Sequence, residues 1–225
     1  MASAASSAFL PALPRPRATS AKPLLRRTSS TVRSPLRVIS ATAAQPSVAA
    51  PAELVESVLS KVNGTDRGVL LSKEGHADVD RLTTDLSKYC VEEPVKNPLI
   101  FGEWDVAYCS NPTSPGGGYR SAIGRLIFKT NEMIQIVEAP DVVKNTVSFS
   151  LFGSLAGQVS LNGKLKVLSE RWIQVVFEAP ELKIGSFDFR YGGQSEVKLE
   201  ITYVDEKIRL GRGSRGSLFV FRRIG

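Results

Sequence analysis

Few side chains in this sequence are equipped to make or break bonds. The one histidine, His76, lies ahead of the strand-rich part of the chain. A Ser-His-Asp relay or a histidine-ligated metal is therefore not expected on those strands. Cys90 and Cys109 have no CxxC spacing and no cluster of partner ligands. Two reduced, buried thiols are expected, with neither zinc site nor disulfide framework signalled, and a redox bridge between them stays open. Glu103, Asp105, Glu196 and Glu200 are the carboxylates available for acid–base work. They alternate with Trp104, Val106, Val197 and Leu199 and so fall on the opposite, outward face. Asp205 reads as a turn residue. Gly211-Arg212-Gly213-Ser214-Arg215-Gly216 satisfies G-x-G-x-x-G, but that fingerprint holds a pyrophosphate only where a helix comes next. Here the apolar run Leu218-Phe219-Val220-Phe221 comes next, so a Gly-rich hairpin loop is expected. No catalytic residue and no cofactor is signalled.

The elements that carry these residues change character near Leu99. Before it, Leu54, Val55, Val58, Leu59 and Val62 repeat at helical spacing behind Pro51, with Asn63-Gly64 as a stop. A second helix is expected over 77–89, with Val79, Leu82, Leu86 and Tyr89 on one side and Asp78 and Asp80 near its start. His76 would be exposed beside that start. After Leu99 the period is two. Trp104, Val106 and Tyr108 alternate with polar or small residues, as do Val147, Phe149 and Leu151, and Val197, Leu199, Ile201 and Tyr203. Asn162-Gly163 reads as a two-residue hairpin turn, and 204–207 as another. The count reaches nine or ten short strands. With no second apolar layer of helices, such a set closes into an antiparallel barrel, which removes its edges.

The expected fold class is mainly β with N-terminal helices, an antiparallel barrel of about 8–10 strands, divided as 45–98 (linker and two helices) and 99–225 (barrel). The inward set expected from alternation is Trp104, Val106, Tyr108, Leu126, Phe128, Phe149, Ile173, Val175, Phe177, Leu199, Ile201 and Tyr203, with no charge among them. Of these, Trp104, Val106, Tyr108, Phe128, Phe149, Phe177, Ile201 and Tyr203 are the candidate lining of a ligand cavity, since barrels of this size can hold one small molecule. Gly102-x-Trp104 on the first strand, with an arginine from the last strand nearby, resembles the closed end of lipocalin-type barrels, where a guanidinium stacks on the indole.

Charge is distributed unevenly. Seven of the 29 Lys and Arg lie within residues 1–44, where no acid occurs, leaving 22 basic residues against 22 acidic ones beyond. The remainder is neutral, without the extended basic face that nucleic-acid binding requires. The acid-free segment is rich in Ser, Thr and Ala and is interrupted by Pro11, Pro14, Pro16, Pro23 and Pro35. Residues 1–44 thus read as a chloroplast transit peptide, cut near 40–44, rather than a secretory signal. No stretch approaches the ~18–20 apolar residues that span a bilayer as a helix, so any membrane contact is expected to be peripheral. Outside the leader one basic cluster stands out, from Arg209 to Arg223. Arg209, Arg212 and Arg215 are its candidates for contact with anionic lipid head groups, each near-surface charge being worth about 1 kcal/mol. The plainer reading is a solvated loop plus one arginine stacked on Trp104.

Two segments carry a family resemblance. Residues 99–110, from Leu99-Ile100-Phe101-Gly102-Glu103-Trp104 to Cys109-Ser110, resemble the opening motif of the plastid lipid-associated (fibrillin, or plastoglobulin) family. Residues 201–213, with Gly216-Ser217-Leu218-Phe219-Val220, resemble its closing motif, and the similarity spans about 51–223. Ser214-Arg215 replaces the acid and glycine the family tends to carry there, and 185–195 is looser than its pattern. The resemblance implies a lipocalin-like barrel associated with thylakoids or plastoglobules that binds small apolar molecules such as carotenoids, prenylquinones or fatty-acid-derived lipids. The alternative is a plastid barrel enzyme acting on an oxylipin or carotenoid, which would need a polar or ionisable group aimed inward.

Overall fold

The computed structural model describes residues 50–111 and 127–225; the leader 1–44 and Leu126 lie outside these. Two helices come first. Helix α1 (Pro51–Val62) starts on Pro51 and buries Leu54, Val55, Val58 and Val62, as the helical spacing requires. Helix α2 (Lys73–Ser87) starts four residues earlier than expected because the Ser72 side chain accepts from the Gly75 N–H and caps it. Asp78 and Asp80 consequently sit inside the helix, away from the N-terminal dipole. They are held by ion pairs instead: Asp78 with Lys61 at 2.6 Å, Asp80 with Arg212 at 2.9 Å. Tyr89 lies past the helix end and is exposed.

Ten strands complete the fold: β1 (Gly102–Cys109), β2 (Phe128–Glu138), β3 (Val142–Leu151), β4 (Leu155–Val167), β5 (Trp172–Phe177), β6 (Glu181–Ile184), β7 (Phe187–Arg190), β8 (Ser195–Val204), β9 (Ile208–Gly213) and β10 (Leu218–Arg223). They pair antiparallel in the order β3-β2-β1-β10-β9-β8-β5-β4, and a β3–β4 pairing closes the ring at eight strands. The β6–β7 hairpin extends the sheet from the upper half of β4, where β6 pairs over 157–160. The wall formed by β2, β3, β4, β6 and β7 therefore rises above the level at which β8, β9 and β10 end. At the other end, two 3-10 turns (Pro94–Lys96 and Pro98–Ile100) bring Val95 and Ile100 into the core and stop the barrel.

The Asn162-Gly163 turn does not exist. β4 runs straight through it, and Gly163 is needed for packing: a Cβ there would lie 2.7 Å from the Phe177 ring. The hairpin reverses at 152–154, using Gly153 with φ +76°. Val204-Asp205-Glu206-Lys207 is the expected turn, with Asp205 Oδ1 accepting from the N–H groups of Lys207 and Ile208, both at 2.8 Å.

Three bulges break the period of two. On β1, Val106 pairs with Phe221 but Tyr108 with Val220, so Ala107 is an extra residue. On β8, Ile201 pairs with Gly211 but Tyr203 with Leu210; on β2 the extra residue is Asn131. Each insertion moves the next side chains along the strand to the other face. Two cores result. Trp104, Val106, Ile173, Val175, Phe177, Leu199, Ile201 and Phe221 fill the barrel. Tyr108, Tyr203, Ile208, Leu210, Leu218 and Val220 face outward against α1 and α2. Tyr108 and Tyr203 are therefore not lumen residues, contrary to the alternation.

Candidate functional site

At the closed end, Trp104 is fully buried and donates from Nε1 to the Ile100 carbonyl at 3.1 Å. The Arg223 guanidinium lies 4.2 Å from its ring centroid, the last-strand stacking expected of this end. A second arginine was not anticipated there. Arg209 is 1% exposed and lies 4.8 Å from the Trp104 ring and 4.3 Å from that of Phe221. It cannot touch a membrane, and its assignment as a surface contact is overturned. The cause is the covering of β9 on both sides: Ile208 and Leu210 face the helices, which leaves Arg209 pointing into the barrel. Neither Arg209 nor Arg223 forms an ion pair with a carboxylate among the described residues. Burial, and then the neighbouring Arg223 charge, lower the Arg209 pKa to about 9, still high enough to keep it cationic at neutral pH.

Arg209 also starts a polar chain across the barrel interior. It donates to the Ile100 carbonyl at 3.2 Å and to Gln135 Oε1, and Gln135 Nε2 donates to Asn145 Oδ1 at 3.0 Å. Gln135 and Asn145 face each other across β2 and β3. They alternate with Val137 and Val143, both buried in the barrel core, so they point inward. Both remain partly exposed. The inward set thus contains one charge and two amides that alternation had assigned outward or overlooked. The signal was present in part: Gln135 and Asn145 share parity with Val137 and Val143.

Above this floor the lumen is apolar. Phe149 is buried against Gly157, where no Cβ would fit, and stacks on Phe128 with centroids 4.4 Å apart. Phe149, Gly157, Ile184 and Phe187 lie directly opposite one another along the tall wall, as do Val147, Val159, Leu182 and Phe189. Directly opposed residues share a face, so this apolar surface is continuous with the barrel interior. Its upper part is open: Phe187 is 74% exposed and Phe189 49%, with Leu155 and Val197 also exposed. Of the candidate lining, then, Trp104, Val106, Phe177 and Ile201 fill the packed interior. Phe128 and Phe149 lie higher, toward the open end.

The remaining candidates disperse. Arg212 is bound to Asp80 in an exposed ion pair, Arg222 pairs with Asp105 at 2.8 Å, and Arg215 is exposed on the β9–β10 loop. His76 is not a free surface residue: its Nδ1 lies 2.6 Å from the Tyr108 hydroxyl and ties α2 to β1. The loop between the helices runs alongside, with the Arg67 carbonyl accepting from the Cys109 N–H. Gly68 (φ +93°) lies where a Cβ would come within 2.7 Å of the Tyr108 ring. Burial pushes the hydroxyls of Tyr108 and Tyr203 up to about 12, with the nearby charges of Cys109 and Asp205, respectively, adding to it. Burial likewise raises the Cys90 thiol pKa, against the opposing influence of Arg171. Among the described residues no group of acids, cysteines and histidine is placed to hold a metal ion, and no helix is long and apolar enough to cross a membrane.

The fold is an eight-stranded antiparallel barrel with a packed, arginine-stacked floor and an apolar mouth, a size of barrel that can either be filled by side chains or hold one small molecule. The PAP_fibrillin family profile matches residues 52–192 and 185–222, and the chain belongs to that family. It is 65% identical to the probable plastid-lipid-associated protein 8, chloroplastic, of Arabidopsis thaliana, over 77% of this chain and 72% of that one. It is 26% identical to the chromoplast-specific carotenoid-associated protein of Cucumis sativus, over 77% and 68% respectively. It is also 26% identical to plastid lipid-associated protein 2 of Brassica campestris, over 76% and 69%. These relatives are named for plastid compartments, and this chain is a plastid protein. Their names describe association with lipid rather than a reaction.

Proposed function

We propose that this protein binds a small apolar molecule in the upper half of its barrel, exchanging it with a plastid lipid phase at the open end, without catalysing a reaction. The observation that carries this reading is the apolar inner wall from Phe149 to Phe187, which continues the barrel core yet is left open at its top. An apolar surface of this kind costs free energy in water, at about 25 cal/mol per Å², and is relieved by a ligand or a lipid surface. Carotenoids, prenylquinones and fatty-acid-derived lipids suit such a wall, and the carotenoid-associated name of the cucumber relative is in keeping with them. Residues 1–44 serve as the transit peptide that brings the chain to thylakoids or plastoglobules. The test is native mass spectrometry of the protein isolated from plastids, with extraction of the lipid it carries. One lipid per chain is expected, and Phe187→Ser with Phe189→Ser should reduce the loaded fraction severalfold. Protein that carries no lipid, and takes none up from plastid-lipid vesicles, refutes the reading.

A further inference from the structure

The hydrogen-bond chain on the barrel floor has a direction. A guanidinium has only N–H donors, so Gln135 must turn its oxygen toward Arg209 and its NH₂ toward Asn145. Asn145 must then accept with Oδ1, which leaves its own NH₂ as the end of the chain. No acceptor for that NH₂ is found among the described residues. The group at the bottom of the lumen is thus a donor, polarised by a buried cation through two amides. The cation itself is under-compensated: Arg209 is fully buried, its Nε has no partner, and Arg223 adds a second positive charge with no carboxylate bonded to either among the described residues. A buried charge of this kind attracts an opposite charge strongly, because the interior screens poorly.

We infer that the barrel selects an apolar chain ending in an oxygen acceptor, a carboxylate above all, with that oxygen bound by the Asn145 NH₂ and the chain lying along the wall of Val147, Phe149, Val159 and Leu182. The inference rests on the proposed binding in the upper barrel and specifies the chemistry of the buried end. A pure hydrocarbon would leave the Asn145 donor dry and unpaired, which disfavours it. A cationic head would meet the field of Arg209 and Arg223 and is disfavoured further. The structure thus distinguishes three ligands of equal length by their heads alone.

The experiment displaces a polarity-sensitive dye from the full-length protein with dodecanoic acid, dodecane or dodecylamine at about pH 8, where the acid is ionised. The acid should bind about tenfold tighter than dodecane, the weight of one hydrogen bond within a charged chain, and the amine most weakly. Asn145→Leu should abolish the difference between acid and dodecane. Asn145→Asp, with an acceptor in place of the donor, should bind the amine better than the acid. Equal binding of acid and dodecane by the wild type, or a preference that survives Asn145→Leu, overturns the inference while leaving apolar binding standing. Failure of the dye and of all three compounds to bind removes both.

Discussion

Replacing Trp104 tests how the floor of the barrel is held. Its side chain is fully buried in the inner core, its indole N–H binds the Ile100 carbonyl, and two guanidiniums rest on its rings. Trp104→Ala removes a large aromatic from a packed site, which costs about 3–5 kcal/mol through lost burial and the cavity left behind. It also removes two cation–π contacts of about 0.5–2 kcal/mol each, leaving Arg209 and Arg223 with mutual repulsion and less to offset it. The sum, about 4–7 kcal/mol once some relaxation is allowed, is comparable with the whole stability of a small domain. Trp104→Phe separates these contributions. It keeps an aromatic face for the cations and gives up mainly the indole hydrogen bond. The Ile100 carbonyl still accepts from Arg209, so that change should cost only about 1–2 kcal/mol. Urea unfolding monitored by far-ultraviolet circular dichroism measures both. Carried out in a Trp172→Phe background, the same titration reports a blue-shifted Trp104 emission for the native state. A cost below about 1 kcal/mol for Trp104→Ala, or equal costs for Ala and Phe, would refute the stacked floor.

Two further outcomes are expected. Tyr108 and Tyr203 have folded-state pKa values of about 12, above the ordinary phenol near 10. Their contribution is complete below about pH 10 and is lost as pH rises toward 12, at about 1.4 kcal/mol per unit for each. Tyr108→Phe should therefore make the alkaline decline shallower, measured as the urea midpoint against pH, and an unchanged slope would exclude it. If the β9–β10 loop contacts anionic lipid, Arg212→Ser with Arg215→Ser should reduce co-sedimentation with vesicles at low salt. Stability should change by less than about 1 kcal/mol, since the Arg212–Asp80 pair is exposed; equal sedimentation at every salt concentration counts against that contact.

Much of the fold was legible because alternation and helical spacing are strong signals. The helices, the antiparallel barrel, the stacked tryptophan and the turn at Asp205 were all readable from them. The bulges were not legible. Their extra residues are Ala107, Asn131 and Thr202, none of which is demanded by a bulge, and each reverses the facing of the residues after it. Tyr108 and Tyr203 were misplaced for that reason alone. Asn162-Gly163 failed differently: its glycine serves the Phe177 ring that packs on it, and a packing glycine is indistinguishable from a turn glycine in one sequence.

Arg209 fails for a reason that also explains why the helices belong to the fold. In Ile208-Arg209-Leu210 the apolar residues read as the inner face and the charge as the outer, which is correct for a barrel in water. Here the outer face of β9 is covered by α1 and α2, so Ile208 and Leu210 are buried on the outside. Strand parity then leaves only the interior for Arg209. Placing a guanidinium there is costly unless its donors and its charge are met. Carbonyl, amide, indole and phenyl partners meet most of that requirement, but none of them is an anion. Covering the outside of β9 with helices and charging the inside of the barrel are therefore one structural choice. That choice gives an otherwise apolar lumen a polar floor, and on the proposed binding it is this floor that would tell one lipid head from another.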